Sequence, residues 1–168
     1  HELPPGHLRI YDGDGVRERA YWTPQYPADF GGSLDEATEA VRAALARATE
    51  LRMLRADVDV GSYLSGGLDS SLIATLGLAA KGEGFQTFSL RFADAEYDEG
   101  EFQRLMSARL GTTHHELTVS RGDIARVFPQ VLWHAERPIL RTAPAPMFLL
   151  SGLVREHGIK VVLTGEGA

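Results

Sequence analysis

The first part of the chain alternates apolar and polar side chains over residues 7–22, and the sequence "DGDG" interrupts this alternation in the middle. Alternation with a period of two is typical of β-strands, and Asp-Gly pairs favour the tight turn of a hairpin. Residues 23–32 are rich in proline, glycine and aromatic residues without periodicity, which is typical of a linker. The pattern therefore predicts a small N-terminal β-hairpin and a boundary that separates residues 1–30 from residues 31–168.

From Ser33 onward the spacing of apolar residues becomes helical. Ser33 and Glu36 form a capping-box signature, and an alanine- and leucine-rich stretch of about twenty residues follows them. The later predicted strands are 58–65, 87–92, 115–119 and 159–163, and the later predicted helices are 70–81, 98–110, 123–135 and 147–156. Pro138, Pro144 and Pro146 predict a loop before the last helix. Alternating strands and helices indicate parallel βαβ units, so the predicted fold is α/β, with a doubly wound, mainly parallel sheet and helices on both faces.

The amino-acid composition and net charge of the chain limit the kinds of molecule that it is expected to bind. The chain has 168 residues, of which 43% are hydrophobic, a formal charge of −6 and no cysteine. The acidic balance argues against nucleic acid or an anionic membrane surface, and the lack of cysteine excludes thiolate zinc sites and cysteine nucleophiles within these residues. The longest apolar stretch, around residues 143–154, is too short and too interrupted to span a bilayer. We therefore expect no nucleic acid and no membrane as partners, and a cytoplasmic location.

The sequence "SGGLDSS", residues 65–71, lies where a predicted strand ends and a helix begins. Ligands of doubly wound sheets bind beyond the carboxyl ends of the strands. Gly66 and Gly67 lack the Cβ atoms that would keep a ligand away from backbone N–H groups, and Ser65, Ser70 and Ser71 offer hydroxyls at the positive end of a helix dipole. The residues predict a phosphate-binding turn.

Three familiar glycine-rich turns do not match this segment. A Walker loop needs a lysine after the glycines, and a dinucleotide-binding turn needs G-x-G-x-x-G; neither pattern is present. A nucleophile elbow needs a glycine two places before its serine, where Tyr63 stands instead. A different kind of phosphate turn remains.

Two motifs at opposite ends of the predicted sheet carry a family resemblance. "SGGLDSS" resembles the pyrophosphate-binding loop, or PP-loop, of ATP pyrophosphatases, whose pattern is S-G-G-x-D-S, and "KVVLTGEGA" at residues 160–168 is similar to a segment of the glutamine-hydrolysing asparagine synthetases. "LGTTHHE" and "PMFLLSGLVREHGIK" also resemble their synthetase domain, and "LPPGH" and "YW" resemble the end of their glutaminase domain. The resemblance implies an adenine nucleotide alpha hydrolase-like fold. It also implies that residues 1–30 end a glutaminase domain and that residues 31–168 begin an ATP-binding synthetase domain that is incomplete at its C-terminus.

The resemblance also implies roles for individual residues. Those that would bind ATP are Leu64, Ser65, Gly66, Gly67, Asp69, Ser70, Ser71, Leu90, Thr164 and Gly165. Leu64 and Leu90 would act through main-chain groups near adenine or ribose. Asp69 would hold Mg²⁺, a hard cation that prefers carboxylate and phosphate oxygens. Glu166 would act in the aspartyl-adenylate step, as a substrate contact or as a proton acceptor for ammonia.

The implied reaction has two steps. The β-carboxylate of aspartate attacks the α-phosphorus of ATP to give a β-aspartyl adenylate and pyrophosphate, and ammonia then displaces AMP to give asparagine. Two alternatives stay open: carboxylate adenylation of the β-lactam synthetase or peptide-cyclising kind, and a non-catalytic nucleotide-binding domain. The residues also lack the N-terminal cysteine of a glutaminase and the acidic pair that follows the second motif in the family. We therefore expect a fragment of an active parent that is itself inactive, and a homodimeric parent is one of the states left open.

Three pairs of polar residues stay open between a structural and a functional interpretation. They are Asp98 and Glu99, Arg141 and Thr142, and His114 and His115. The acidic pair suits a helix cap as well as a site, and the arginine of the second pair suits the α-carboxylate of a substrate. The adjacent histidines point to opposite faces of a strand, so they do not predict a metal site.

Overall fold

The computed structural model describes residues 2–26, 30–94, 96 and 98–165, and the chain divides into two compact units, 1–39 and 40–168. In the first unit, strand β1 (His7–Asp12) pairs with β2 (Gly15–Ala20) in an antiparallel hairpin. The backbone N–H of Asp14 donates to Oδ1 of Asp12 at 3.1 Å across the turn. The predicted hairpin is therefore confirmed.

Helix α1 (Leu34–Leu54) begins at the predicted capping box. The backbone N–H of Glu36 donates to Oγ of Ser33 at 3.2 Å, and the backbone N–H of Ser33 donates to the Glu36 carboxylate at 2.8 Å. These reciprocal bonds satisfy two N–H groups that a helix start leaves without partners. The backbone N–H and the hydroxyl of Ser33 both donate to the Glu36 carboxylate, and these two bonds lower the pKa of that carboxyl.

The second unit contains a four-stranded parallel sheet. The strands are β3 (Val60–Tyr63), β4 (Gln86–Phe92), β5 (Thr113–Val119) and β6 (Val161–Leu163), in the order β5-β4-β3-β6. The helices are α2 (Leu68–Lys81), α3 (Gly100–Leu110), α4 (Arg121–Ala135) and α5 (Pro144–Glu156). Along the chain, β4 is added beside β3 and β5 beside β4, and β6 then lies on the other side of β3. The strand order therefore reverses next to β3, which is where ligands of such sheets bind.

The helices cover both faces of this sheet. Val162 packs against a cluster formed by Phe88 with residues of α5, whereas the next residue, Leu163, approaches Gly77 of α2. Successive residues of a strand point to opposite faces, so α2 and α5 lie on opposite sides. The predicted α/β fold, with its mainly parallel sheet, is confirmed.

Helix α5 begins earlier than the sequence pattern predicts. Pro144 and Pro146 lie in its first turn and not in a loop. Proline is tolerated there because the first N–H groups of a helix have no acceptor within the helix. Among the described residues, no helix is long and apolar enough to cross a membrane.

A pair of imidazoles in close contact lies beside the core. The ring of His115 is 5.0 Å from that of Phe88 and 3.7 Å from that of His157, measured between centroids. Nε2 of His115 donates to Oε1 of Gln86 at 2.9 Å. Burial, followed by repulsion from His157 and His114, lowers the pKa of His115 below its ordinary value of 6.5.

This arrangement predicts a loss of stability in mild acid. A pKa that is lower in the folded than in the unfolded chain gives a contribution that is complete above pH 6.5 and is lost as the pH falls through and below that value. We expect the free energy of unfolding, measured by urea titration, to decrease between pH 7.5 and pH 5.5, and to decrease less in His115→Gln. His134→Gln, which removes an exposed histidine of α4, is the control and should follow the wild-type slope. Equal slopes for His115→Gln and the wild type would contradict the assignment.

Candidate functional site

The loop after β3 contains the predicted phosphate-binding turn. The N–H of Leu64 continues the strand pairing by donating to the carbonyl of Phe88 at 2.9 Å, and the chain then turns into α2. Gly66 has φ +84°, in the left-handed region, and a Cβ there would lie 2.8 Å from Cβ of Phe102. The turn therefore requires glycine at this position for two independent reasons, conformation and contact with α3.

The hydroxyl of Ser70 holds the turn in shape. It accepts from the N–H of Ser65 at 3.1 Å, lies 2.8 Å from the Ser65 hydroxyl, and donates to the carbonyl of Gly67 at 3.2 Å. A hydroxyl has one donor and two acceptor positions, so these three bonds use its capacity fully. Ser70 is only 8% exposed. Its side chain therefore organises the loop, and its backbone N–H is the group left to meet a ligand.

The start of α2 presents unpaired backbone donors. Gly67 is the N-cap and provides no side-chain cap, and the first helical bond is donated by Ser71 to the carbonyl of Gly67 at 3.1 Å. The N–H groups of Leu68, Asp69 and Ser70 consequently have no acceptor within the helix. Together with the helix dipole, they form an environment that stabilises an anion.

The second predicted motif lies directly against this helix start. A Cβ at Gly165 would be 2.7 Å from the backbone N of Ser70 and 3.1 Å from Cβ of Asp69. Real Cβ atoms essentially never lie 2.7 Å from another heavy atom, so only glycine lets the loop after β6 approach so closely. The hydroxyl of Ser62 also donates to the carbonyl of Leu163 at 3.3 Å, which ties the two strands that carry the loops.

A cavity of about 720 Å³ opens between these loops and the neighbouring helices. Of the predicted site residues, the structure brings eight to its wall: Leu64, Ser65, Gly67, Asp69, Ser70, Leu90, Thr164 and Gly165. Gly66 does not line it, and neither does Ser71, whose hydroxyl is buried without a partner among the described residues. Glu166 lies outside the described residues.

The wall of the cavity has two chemically different parts. Polar groups of the loops and the start of α2 form one part. The other part is largely apolar and includes Tyr63, Leu64, Phe88, Leu90, Phe92, Met147 and Leu150. A ligand with a charged end and a flat apolar end would match both parts.

The acidic pair before α3 lies at the cavity wall, and Asp98 also makes structural contacts. Asp98 lines the cavity with Glu99, and it also pairs with Arg91, whose Nη2 lies 2.5 Å from Oδ2 of Asp98. Its Oδ1 accepts at 3.2 Å from the N–H of Gly100, the first residue of α3. The hydrogen bond from Arg91 is the main reason why the pKa of the Asp98 carboxyl is lowered.

The other residues that the sequence left open lie outside the cavity wall. Arg141 and Thr142 are exposed. His114 donates or accepts through Nδ1 with the hydroxyl of Thr87 at 2.9 Å, a contact within the sheet. Within the part of the chain that the structure describes, no three acidic, histidine or cysteine side chains are grouped closely enough to hold a metal by themselves.

Sequence reasoning missed three polar residues of the wall, which are Ser89, Glu96 and Gln103. Gln103 lies on α3 and is only 3% exposed, yet it lines the cavity. Its position within a helical segment carried no motif that distinguished it from an ordinary surface glutamine. Only the folded arrangement of α3 against β4 reveals it.

Several known proteins are similar in sequence to this chain. The family model for asparagine synthase matches residues 40–168. The chain is 34% identical to asparagine synthetase 1 (glutamine-hydrolyzing) of Lotus japonicus over 99% of its length, and 31% identical to amidase chyE of Penicillium rubens over 100%. It spans 29% and 28% of the lengths of these two relatives.

Solved structures share its fold. Glutamine-dependent NAD+ synthetase from Acinetobacter baumannii, in complex with ADP, matches with a TM-score of 0.55 and 21% identity, over 91% of this chain and 29% of that chain. NH3-dependent NAD synthetase from Campylobacter jejuni matches with a TM-score of 0.51 and 19% identity, over 73% of this chain and 54% of that chain. At these identities the likeness shows the fold alone.

The contact between Gly165 and α2 can be tested by adding a methyl group. We expect Gly165→Ala to lower the free energy of unfolding by about 1–3 kcal/mol, as overpacking does, because the new Cβ must displace the backbone of α2. Thermal and urea unfolding measure the change. Gly152→Ala is the matched control, because a Cβ at Gly152 on α5 meets nothing within 4 Å and alanine favours a helix. Equal stability of the two variants would mean that the loops do not touch.

Proposed function

Because the chain belongs to the asparagine synthase family, we propose that its protein is an ATP-dependent carbon–nitrogen ligase that converts aspartate to asparagine. The proposed intermediate is a β-aspartyl adenylate, and the proposed by-products are pyrophosphate and AMP. The observation that carries the proposal is the contact of Gly165 with the start of α2, which joins both family motifs at one cavity. Since the chain covers under a third of its relatives' length, the activity is proposed for the whole protein.

The polar part of the cavity suits the phosphates of ATP. Backbone N–H groups of Leu68, Asp69 and Ser70 point from the start of α2, and the Ser70 hydroxyl keeps the preceding loop fixed. Donors that are already in place stabilise charge that develops on a leaving group without further rearrangement. We propose that these groups hold the pyrophosphate as the bond to the α-phosphorus breaks.

The donor set also suits Mg²⁺. Asp69 is exposed at the cavity wall, with no hydrogen-bond partner for its carboxylate among the described residues. Magnesium typically uses one or two carboxylates together with substrate phosphates and water, so a single aspartate beside the phosphate turn fits it. We propose Asp69 as its protein ligand, and bound Mg²⁺ would neutralise phosphate charge.

The acyl substrate is proposed to lie next to the loop after β6. Thr164 and Gly165 line the cavity there, and Glu166 follows them in sequence. We retain for Glu166 the proposed role of substrate contact or proton acceptor for ammonia. Glutamine would supply the ammonia through a glutaminase domain whose end would be residues 1–30.

The comparisons do not favour the alternatives of lactam formation, peptide cyclisation or nucleotide binding without catalysis. A substrate panel with full-length protein, ATP, ammonium and a series of carboxylic acids would separate them, with pyrophosphate release as the readout. Release that depends on aspartate supports the proposal, whereas release with other acids only would replace aspartate as the substrate. The homodimeric state and the cytoplasmic location stay predictions.

The role of Asp69 leads to a direct test. We expect Asp69→Asn in the full-length protein to reduce aspartate-dependent pyrophosphate release by more than about tenfold, because the amide is a poorer magnesium ligand. Raising the Mg²⁺ concentration should recover part of the activity. Asp57→Asn is the matched control, because Asp57 is exposed and precedes β3, at the end of the strand opposite to the cavity. Unchanged release in Asp69→Asn would remove Asp69 from the proposed site.

A further inference from the structure

Arg91 joins three elements of the second unit. It lies on β4, and its guanidinium donates through Nε and Nη2 to Asp98, which precedes α3, at 3.0 and 2.5 Å. Through Nη1 it donates to Glu116 on β5 at 3.2 Å. The planar guanidinium presents its donors in a rigid fork, so carboxylates on two sides fix its orientation.

The bond with Asp98 determines where α3 begins. Arg91 engages both oxygens of the Asp98 carboxylate, which fixes the plane of the carboxylate as well as its distance. Oδ1 of Asp98 also accepts from the N–H of Gly100, the first residue of α3. A Cβ at Gly100 would lie 2.8 Å from Cζ of Arg91, so the helix start lies directly against the guanidinium. Arg91 therefore sets the position of the helix start relative to the sheet.

The first turn of α3 in turn supports the phosphate-binding turn. A Cβ at Gly66 would be 3.0 Å from the backbone N of Gln103 and 3.1 Å from the carbonyl carbon of Phe102, so the two backbones are in contact. The N–H of Gln103 donates to the carbonyl of Glu99 at 3.2 Å, which links this contact to the helix start. A displacement of the start of α3 would therefore reach Gly66 through a single turn of helix.

Arg91 does not itself face the cavity. Asp98, Glu99 and Gln103 line the cavity wall, whereas Arg91 does not. Its guanidinium is already paired with two carboxylates, so it offers no free positive charge to a phosphate. An effect of Arg91 on a ligand must therefore pass through the residues that it holds.

We propose that Arg91 is a positioning residue for the triphosphate, because it holds α3 against Gly66 and so keeps the backbone N–H groups at the start of α2 in the arrangement that binds phosphates. This assignment rests on the proposed function, since it requires a nucleotide in the cavity. Without the guanidinium, Asp98 would be an unpaired carboxylate next to Glu99, and repulsion between the two would move the start of α3.

The test measures the binding of ATP to the full-length protein by calorimetry in the presence of Mg²⁺. We expect Arg91→Met, which keeps much of the side-chain length but removes the guanidinium, to bind ATP about tenfold more weakly, the effect of one lost hydrogen bond to a charged group. The number of sites per protein should stay at the wild-type value, because every folded molecule has the same weakened site. A variant that was merely less stable would instead show fewer sites with the wild-type affinity.

A double variant separates position from charge. Arg91→Met leaves Asp98 unpaired, and the charge of this carboxylate alone would repel ATP. Adding Asp98→Asn removes that charge but does not restore the two-pronged bond, so we expect the affinity for ATP to stay about tenfold below that of the wild type. If Arg91→Met does not fold, Arg91→Lys keeps the positive charge without the fork and should weaken ATP binding in the same direction.

Arg126→Met is the matched control. Arg126 also pairs with an aspartate, Asp123, at 2.9 Å, but both lie on α4, which contributes no described residue to the cavity wall. This variant should keep the wild-type affinity for ATP.

Three results would overturn the assignment. Wild-type affinity in Arg91→Met, with or without a loss of sites, would remove Arg91 from the positioning of the phosphate-binding turn. Recovery of ATP binding in the double variant would reduce the role of Arg91 to neutralising Asp98. Failure of the wild type to bind ATP would refute the proposed function itself, and this assignment with it.

Discussion

The site depends on the contact between the loop after β6 and the first turn of α2. β3 and β6 are parallel neighbours, so their carboxyl ends meet at the same edge of the sheet. The backbone N of Ser70 lies only 2.7 Å from the place where a Cβ of Gly165 would be. A side chain at this position would separate the loops and widen the cavity between them. One missing Cβ thus decides whether the two motifs form a single site.

The serines of the turn differ in role although they look alike in sequence. The hydroxyl of Ser70 has three partners within the loop, whereas that of Ser71 is buried and does not line the cavity. The proposed anion binding by this turn would therefore rely on backbone N–H groups that the Ser70 hydroxyl keeps in place. Backbone donors are already ordered in the folded turn, so no further conformational entropy of side chains would be lost when a ligand binds to them.

Structural elements that depend on residues close together in the chain could be predicted from the sequence. The "DGDG" turn and the pair Ser33 and Glu36 act through neighbours a few residues away, and both give the predicted hairpin and helix start. The start of α5 was missed because Pro144 is tolerated in a first helical turn as well as in a loop. The family motifs located eight of the residues that line the cavity.

The remainder of the site depends on contacts between distant parts of the chain. The place of β6 beside β3 follows from the crossover of the chain and not from the residues of either strand. Gln103 lies at the cavity because α3 brings its amide to the carbonyl of Leu90, which is beyond the part of β4 that pairs with β3. The spacing of residues in the sequence does not predict such a contact, so the position of Gln103 at the cavity is known only from the folded structure.

The charges at the cavity support the proposed role of a magnesium ion. The described wall includes Asp69, Glu96, Asp98 and Glu99 but no lysine or arginine, and Arg91 is already paired with Asp98. The partial positive charge of one helix end, about half an elementary charge, is far smaller than the charge of a nucleoside triphosphate. If ATP binds here as proposed, its phosphates would be repelled by these carboxylates unless a cation reduced their charge. Among the wall carboxylates, Asp69 alone lies in the first turn of α2, where a metal ion bound with the phosphates, as proposed, would compensate its negative charge.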